Sequence, residues 1–238
     1  MIELRDAVYR YDHAEMRFEL SVAAGAFVAV IGPSGAGKTT LLNLIAGFER
    51  PESGKILLDG REATALAPAA RPVTTLFQEH NLFAHLTAAQ NVGLGLHPGL
   101  RLSPAQHAEV AAALAIVGLA GLGGRLPRQL SGGERQRVAL ARSVVRDRKV
   151  LLLDEPFAAL DPALREEMVA LVDRLRRERG LTVLLVTHLL DEVGDFADRA
   201  IFVCDGRILA DGVPADLLNR PTVPELKAYL GRRAAGVD

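Results

Sequence analysis

A chain of 238 residues is long enough to bury a substantial interior, either as one large domain or as a core carrying a subdomain. Its 28 basic residues against 29 acidic ones leave a net charge of −1, which argues against a general nucleic-acid binder, a class that carries a basic excess or stripe. One cysteine, Cys204, excludes an intrachain disulfide framework or a thiol metal site and suits a reducing, cytoplasmic compartment.

The opening "MIELRDAVYR" mixes charged and apolar residues and lacks the apolar core of a signal peptide. No run reaches the roughly 18 apolar residues needed to span a bilayer, so the chain is expected to be soluble by itself, with any membrane link made through a partner. Residues 1 to about 30 alternate in short apolar runs, "MIEL" and "RFELSV", and end in "AFVAVIG", a strand-like stretch feeding a glycine loop. "TTLLNLIAG" then reads as a helix with an apolar face of Leu41, Leu42, Leu44 and Ile45 and a stop at Gly47. "GKILLDG" is a further strand ending in an Asp-Gly turn. From about residue 78 to 148 strand-like runs disappear, and "SPAQHAEVAAALAIVGL" predicts a helix with Ser103 as N-cap and Pro104 at its first position. "VLLLDEP" and "LTVLLVTH" are fully apolar strands flanking the amphipathic helix "DPALREEMVALVDRLRRERG". Such runs alternating with helices indicate parallel strands covered on both faces. "IFVCDGRILADG" closes as a hairpin, and the tail from Pro214 is helical. The expected organisation is one α/β domain over 1–238. Its core covers about 1–77 and 149–238 and has a mostly parallel sheet with an N-terminal antiparallel β portion, and a helical subdomain is inserted over about 78–148.

"GPSGAGKT", Gly32 to Thr39, fits G-x-x-x-x-G-K-[ST] between a strand and a helix, the context that motif requires. A chance match in a chain of this length is on the order of one per cent. Gly32, Pro33, Ser34, Gly35, Ala36, Gly37, Lys38, Thr39 and Thr40 form the candidate phosphate cradle. Gly35 and Gly37 let backbone N–H groups converge on the β-phosphate, Lys38 neutralises β/γ charge, and the Thr39 hydroxyl ligates Mg²⁺. "VLLLDEP" supplies two acids, Asp154 for the outer sphere of the metal and Glu155 to polarise or deprotonate the attacking water. Gln78 lies at the junction into the helical insert, where an amide can contact both Mg²⁺ and that water. His188 ends its strand where it can hydrogen-bond the γ-phosphate, although alone it would read as a strand-capping histidine. Tyr11 is a candidate to stack on adenine, with an ordinary half-exposed strand aromatic as the alternative.

A second loop, "LSGGERQ", has the S-x-x-E pattern of a capping box, Ser131 as N-cap and Glu134 at N3, and Val138, Ala141 and Val145 continue a helical face. A well-capped helix is the bland reading. The two glycines behind the cap each lower helix propensity by about 1 kcal/mol, which makes sense if a ligand must approach the backbone closely. The set "GPSGAGKT", "LFQ", "LSGGERQ", "VLLLDEP", "AALD" and "VTH", in that order, resembles the ATP-binding subunit of ABC transporters across essentially the whole chain. The resemblance implies a P-loop NTPase core, ATP and Mg²⁺ as cofactors, and a head-to-tail homodimer in which each signature loop covers the ATP held by the other copy. Ser131 and Gly133 would then contact the partner's γ-phosphate, with Gly132 between them among the nucleotide-binding residues, and Asp161 would sit at the dimer seam.

Within that family, "RPVTTLFQEHNLFAHLTAAQNVGLGLHPGLRLS", "LLNLIAGFERPESG" and "MRFELSV" resemble the ATP-binding subunits of bacterial thiamine importers. The chain stops soon after Arg233, without the long regulatory extension of the maltose-type subunits. The resemblance implies ATP hydrolysis coupled to uptake of thiamine and thiamine phosphate. The chain would be held peripherally at the cytoplasmic face of the inner membrane by integral permease subunits, with a periplasmic thiamine-binding protein choosing the substrate. Phe83 and Leu86, apolar residues in the loop "EHNLFAHLT", are candidates for docking the permease, against ordinary packing within the insert. Iron, polyamine, sulfate or molybdate importers are the competing substrate readings. A soluble ABC ATPase acting on ribosomes or in DNA repair would call for a second cassette or a coiled-coil insert, and a P-loop kinase would leave "LSGGERQ" unexplained.

Overall fold

The structure is a computed structural model and describes residues 1–11, 14–77, 82–188 and 194–234, with residues 232–234 described by backbone alone. Strands β1 (Ile2–Tyr11), β2 (Ala14–Val22), β4 (Ser53–Leu58) and β5 (Arg61–Glu62) pair antiparallel in the order β2-β1-β4-β5. One side of this sheet meets the core, so β2 alternates buried Phe18, Leu20 and Val22 with exposed Arg17, Glu19 and Ser21.

The larger sheet contains β3 (Phe27–Ile31), β6 (Val73–Leu76), β7 (Val150–Asp154), β8 (Thr182–Val186), β9 (Arg199–Cys204) and β10 (Arg207–Gly212), in the order β10-β9-β3-β8-β7-β6. All neighbours run parallel except β10, the antiparallel return of the expected hairpin. Successive side chains point to opposite faces. Val28, Val30, Leu152, Leu184 and Ile201 join one core layer with α1 (Lys38–Ala46) and the antiparallel sheet. Phe27, Ala29, Leu151, Leu153, Val183 and Phe202 join the other, with α4 (Gly132–Val144) and α5 (Pro162–Arg179). Burial on both faces explains why these strands read as unbroken apolar runs. The sequence reading placed no strand over 73–76, where two threonines interrupt the pattern; there β6 extends the ladder as an edge partner of β7.

Between β6 and β7 the described residues carry α2 (Ala88–Gly93), α3 (Pro104–Ile116) and α4, and no strand. Ser103 caps α3 and Pro104 opens it, as read from sequence. After β10 come α6 (Pro214–Asn219) and α7 (Pro224–Ala234). Helices α2, α3 and α4 each begin with a capping box, and Asp161 caps α5 through its side chain. Helix α1 begins at Gly37 with no side-chain cap and no acid in its first turn, so its leading N–H groups stay available to an anion. Its other end is fixed by Arg71, which is fully buried. Arg71 Nη1 donates to the carbonyls of Leu44 (2.6 Å) and Ile45 (2.9 Å), Nε to Leu66 O (3.1 Å), and Nη2 to Thr64 O (3.2 Å).

Candidate active site

The carboxyl ends of β3, β8 and β7 are adjacent, and each delivers a different group to one crevice, the usual place for ligands in an open parallel sheet. Backbone bonds lock the three ends together: Thr187 N–H donates to Val30 O (3.1 Å) and Glu155 N–H to Val186 O (3.1 Å). From β3 comes the glycine loop. Gly32 lies so close to β9 that a Cβ there would sit 2.0 Å from the carbonyl oxygen of Val203, and Gly35 and Gly37 have φ of +76° and +101°. Ser34 to Thr40 line a cleft of about 180 Å³ together with Met16 and Glu155. Lys38 is buried, its Nζ donating to the carbonyls of Gly32 (2.8 Å) and Pro33 (2.9 Å) across the loop it serves. Burial pushes the Lys38 pKa down, opposed by the nearby charges of Glu155 and Asp154.

At the end of β7, burial pushes the Asp154 carboxyl up, while a hydrogen bond from the Thr39 hydroxyl works against that shift. This brings together two of the three residues expected at the metal, Thr39 as ligand and Asp154 in its outer sphere. Hydroxyl and carboxylate oxygens are the hard donors that Mg²⁺ selects, so the residues fit that ion. Glu155, with φ +46°, turns out of the strand. Its Oε1 lies 2.6 Å from His188 Nε2, at the end of β8. That hydrogen bond holds the Glu155 carboxyl below the usual carboxylate range, against the opposing effect of burial. The arrangement is a cleft with anion-ready backbone donors, a buried ammonium, a metal-suited oxygen pair and an ionised carboxylate oriented by an imidazole.

Ser131, Gly133 and Glu134 lie elsewhere, in a shallow depression of about 410 Å³ shared with Gly118, Leu119, Arg137 and Leu164. Ser131 N–H donates to Glu134 Oε2 (2.7 Å) and Glu134 N–H to Ser131 Oγ (3.2 Å), so the capping box is made as read. Helix geometry leaves the N–H groups of Gly132 and Gly133 without a carbonyl one turn before them. The two glycines differ. A Cβ on Gly133 would lie 2.6 Å from Leu164 Cδ2, so that glycine has a packing reason inside the chain; around Gly132 a Cβ would meet nothing closer than 3.9 Å.

Asp161 is exposed, and its Oδ1 accepts from Leu164 N–H (3.0 Å). Tyr11 ends β1 and is 66% exposed. Gln78 lies outside the described residues. Sequence reasoning missed Met16, which lines the glycine-loop cleft from β2, and Arg71, since neither belongs to a local pattern.

The description of the ABC transporter family matches residues 16–158. The thiamine import ATP-binding protein of Photorhabdus laumondii is 52% identical over 237 residues, covering 100% of both chains. Its counterpart from a Chelativorans species is 55% identical, covering 92% of this chain and 89% of its own. Among solved structures, a dimeric ATP-binding cassette in a post-hydrolysis state, bound to ADP and phosphate, superposes with a TM-score of 0.78 at 30% identity, covering 90% of this chain and 99% of that one. A dimeric bacterial ABC transporter cassette superposes with a TM-score of 0.77 at 31% identity, with the same coverage. With more than half of the chain inside the family description and whole-length relatives above half identity, the chain belongs to the ABC transporter family, as one of its ATP-binding cassette ATPases.

Proposed function

We propose that the chain energises a bacterial thiamine importer by binding and hydrolysing ATP as one half of a cassette dimer. The observation that carries the hydrolytic reading is the Glu155–His188 pair, 2.6 Å apart, with Glu155 on the wall of the cleft that Lys38 and Thr39 line. In this reading Gly32 to Thr40 hold the phosphates and Glu155 accepts a proton from the attacking water, while His188 orients Glu155 and reaches the γ-phosphate. Thr39 and Asp154, with Gln78, would hold Mg²⁺, which when bound neutralises charge on the β- and γ-oxygens. Tyr11, exposed at the end of β1, is available to stack on the base.

The phosphate cleft and the Ser131 depression share no lining residue, so one copy offers its second donor loop to something other than its own nucleotide. A second copy, head to tail, would place Ser131, Gly132 and Gly133 on the partner's γ-phosphate and Asp161 at the seam. ATP then favours the closed pair, and loss of the γ-phosphate favours opening.

Among the described residues no helix is long and apolar enough to cross a membrane. In the proposed reading a permease holds the chain at the cytoplasmic face of the inner membrane. Phe83, 51% exposed, suits that dock. Buried Asn91 grips the loop behind it, accepting from Phe83 N–H (2.8 Å) and donating to Phe83 O (3.1 Å) and Leu86 O (3.0 Å). Leu86 is half-buried. Thiamine is supported by the names of whole-length relatives, with a permease and a periplasmic binding protein selecting it. Reconstituted with both, the complex should show thiamine-stimulated ATPase activity, and Glu155→Gln should leave only slow residual hydrolysis while keeping ATP-driven dimers on size-exclusion chromatography. Normal turnover in Glu155→Gln would remove the assigned base; stimulation by another solute alone would replace the substrate.

A further inference from the structure

Gln136 is a buried amide in the second turn of α4, five residues beyond Ser131 and 3% exposed. Its Nε2 donates to the carbonyl oxygen of Pro156 at 2.7 Å. A carbonyl only accepts, so the donor end of the amide must face it. The other end, Oε1, is buried with no hydrogen-bond partner among the described residues. An unpartnered buried oxygen is costly, and an apolar side chain of the same length would fill this space without it. Such a side chain would, however, strip the buried Pro156 carbonyl of its donor, so what the amide supplies is that one contact, made to the residue that follows Glu155.

That contact falls on a strained turn. A non-glycine residue at φ +46° persists only where its surroundings dictate it, and Glu155 is held there from three directions. Glu155 N–H bonds Val186 on β8, Arg165 Nε on α5 donates to Phe157 O (3.2 Å), and Gln136 on α4 takes the carbonyl between them. Only the last belongs to the helix that starts at the serine-capped loop.

Resting on the proposed function, we infer that Gln136 is a positioning residue for Glu155: its amide sets the Glu155–Pro156 turn, so that the carboxylate's aim follows the placement of the helix that begins at Ser131. A shift of that helix as its N-terminus engages the partner's nucleotide would be passed to the base in the same protomer through this one bond.

Gln136→Met keeps length and burial while removing the donor. In the reconstituted complex kcat should fall about ten-fold with the ATP KM within two-fold of the parent. In the nucleotide-free chain, amide exchange at Glu155 and Ala158 should quicken while melting stays close to the parent. The decisive arm is a double-mutant cycle in single-turnover hydrolysis: added to Glu155→Gln, Gln136→Met should cause no further loss, because its effect runs through the group already removed. A further ten-fold loss in that background, or unchanged kcat and exchange in Gln136→Met alone, would overturn the inference. Failure of both Gln136→Met and Gln136→Leu to fold would also overturn it, in favour of a purely structural role. Normal hydrolysis by Glu155→Gln alone would instead strike the proposed base.

Discussion

Replacing Arg71 by methionine tests how α1, the helix behind the glycine loop, is held. The guanidinium makes four hydrogen bonds to main-chain carbonyls, and the two acceptors on α1, Leu44 and Ile45, lie in its last turn, where helix geometry supplies no partner. No carboxylate appears among these acceptors, so the cation is balanced by carbonyl dipoles at the negative end of the helix. Stripping the two α1 carbonyls of their donor costs about 1–3 kcal/mol each, roughly 2–6 kcal/mol for the pair, offset in part by no longer burying the cation. Arg71→Met makes both changes, for a net loss of roughly 2–4 kcal/mol. In a chain of this size each kcal/mol lowers the melting temperature by about 2–4 °C, so a fall of roughly 5–15 °C is expected. The chain has no tryptophan, so circular dichroism during heating or urea titration is the suitable probe. Arg71→Lys, which cannot fork across two segments, should fall between parent and Met variant. A melting temperature for Arg71→Met within 2 °C of the parent, on the order of its measurement error, would refute the capping argument.

Three further outcomes are expected. Ser131→Arg should leave ATP binding by the single copy intact, measured by nucleotide titration, while abolishing ATP-driven dimers on size-exclusion chromatography; dimers that persist would detach the serine loop from the partner. His188→Ala removes the hydrogen bond that holds the Glu155 carboxyl low and leaves burial pushing it up. Glu155 then takes up its proton at a higher pH, so the acid limb of the kcat profile should move upward, and an unmoved limb would break the link between the two residues. Phe83→Ala should weaken association with the permease in pull-down experiments without changing ATP hydrolysis by the isolated chain; unchanged association and transport would return Phe83 to ordinary surface.

The parts of this molecule legible in sequence are those whose physics is local. The glycine loop, the apolar strands β3, β7 and β8, the Asp205–Gly206 hairpin turn and the caps at Ser103 and Ser131 follow from spacing, backbone permissiveness and side-chain reach over a few residues. Met16 and Arg71 were illegible because their roles depend on distant segments: Met16 comes to the glycine loop only when β2 folds beside it, and Arg71 meets α1 across 26 and 27 residues of chain. A lone arginine before a proline carries no mark of burial. Strand β6 was passed over for a related reason: its two threonines weaken the apolar pattern, and its pairing with β7 spans the helical insert.

The two glycines behind Ser131 show where a local argument stops being sufficient. Propensity treats them alike, as residues that weaken a helix and so call for a reason. The fold separates them, because Leu164 occupies the space a Gly133 side chain would need, while Gly132 faces nothing closer than 3.9 Å. Leu164 is itself fixed by Asp161, whose side chain caps its N–H. The residue proposed for the dimer seam and the loop proposed for the partner's phosphate therefore touch through one leucine, within a single chain. Gly133 is accounted for by that contact, so the case for close ligand approach rests on Gly132, the one with open space in front of its backbone.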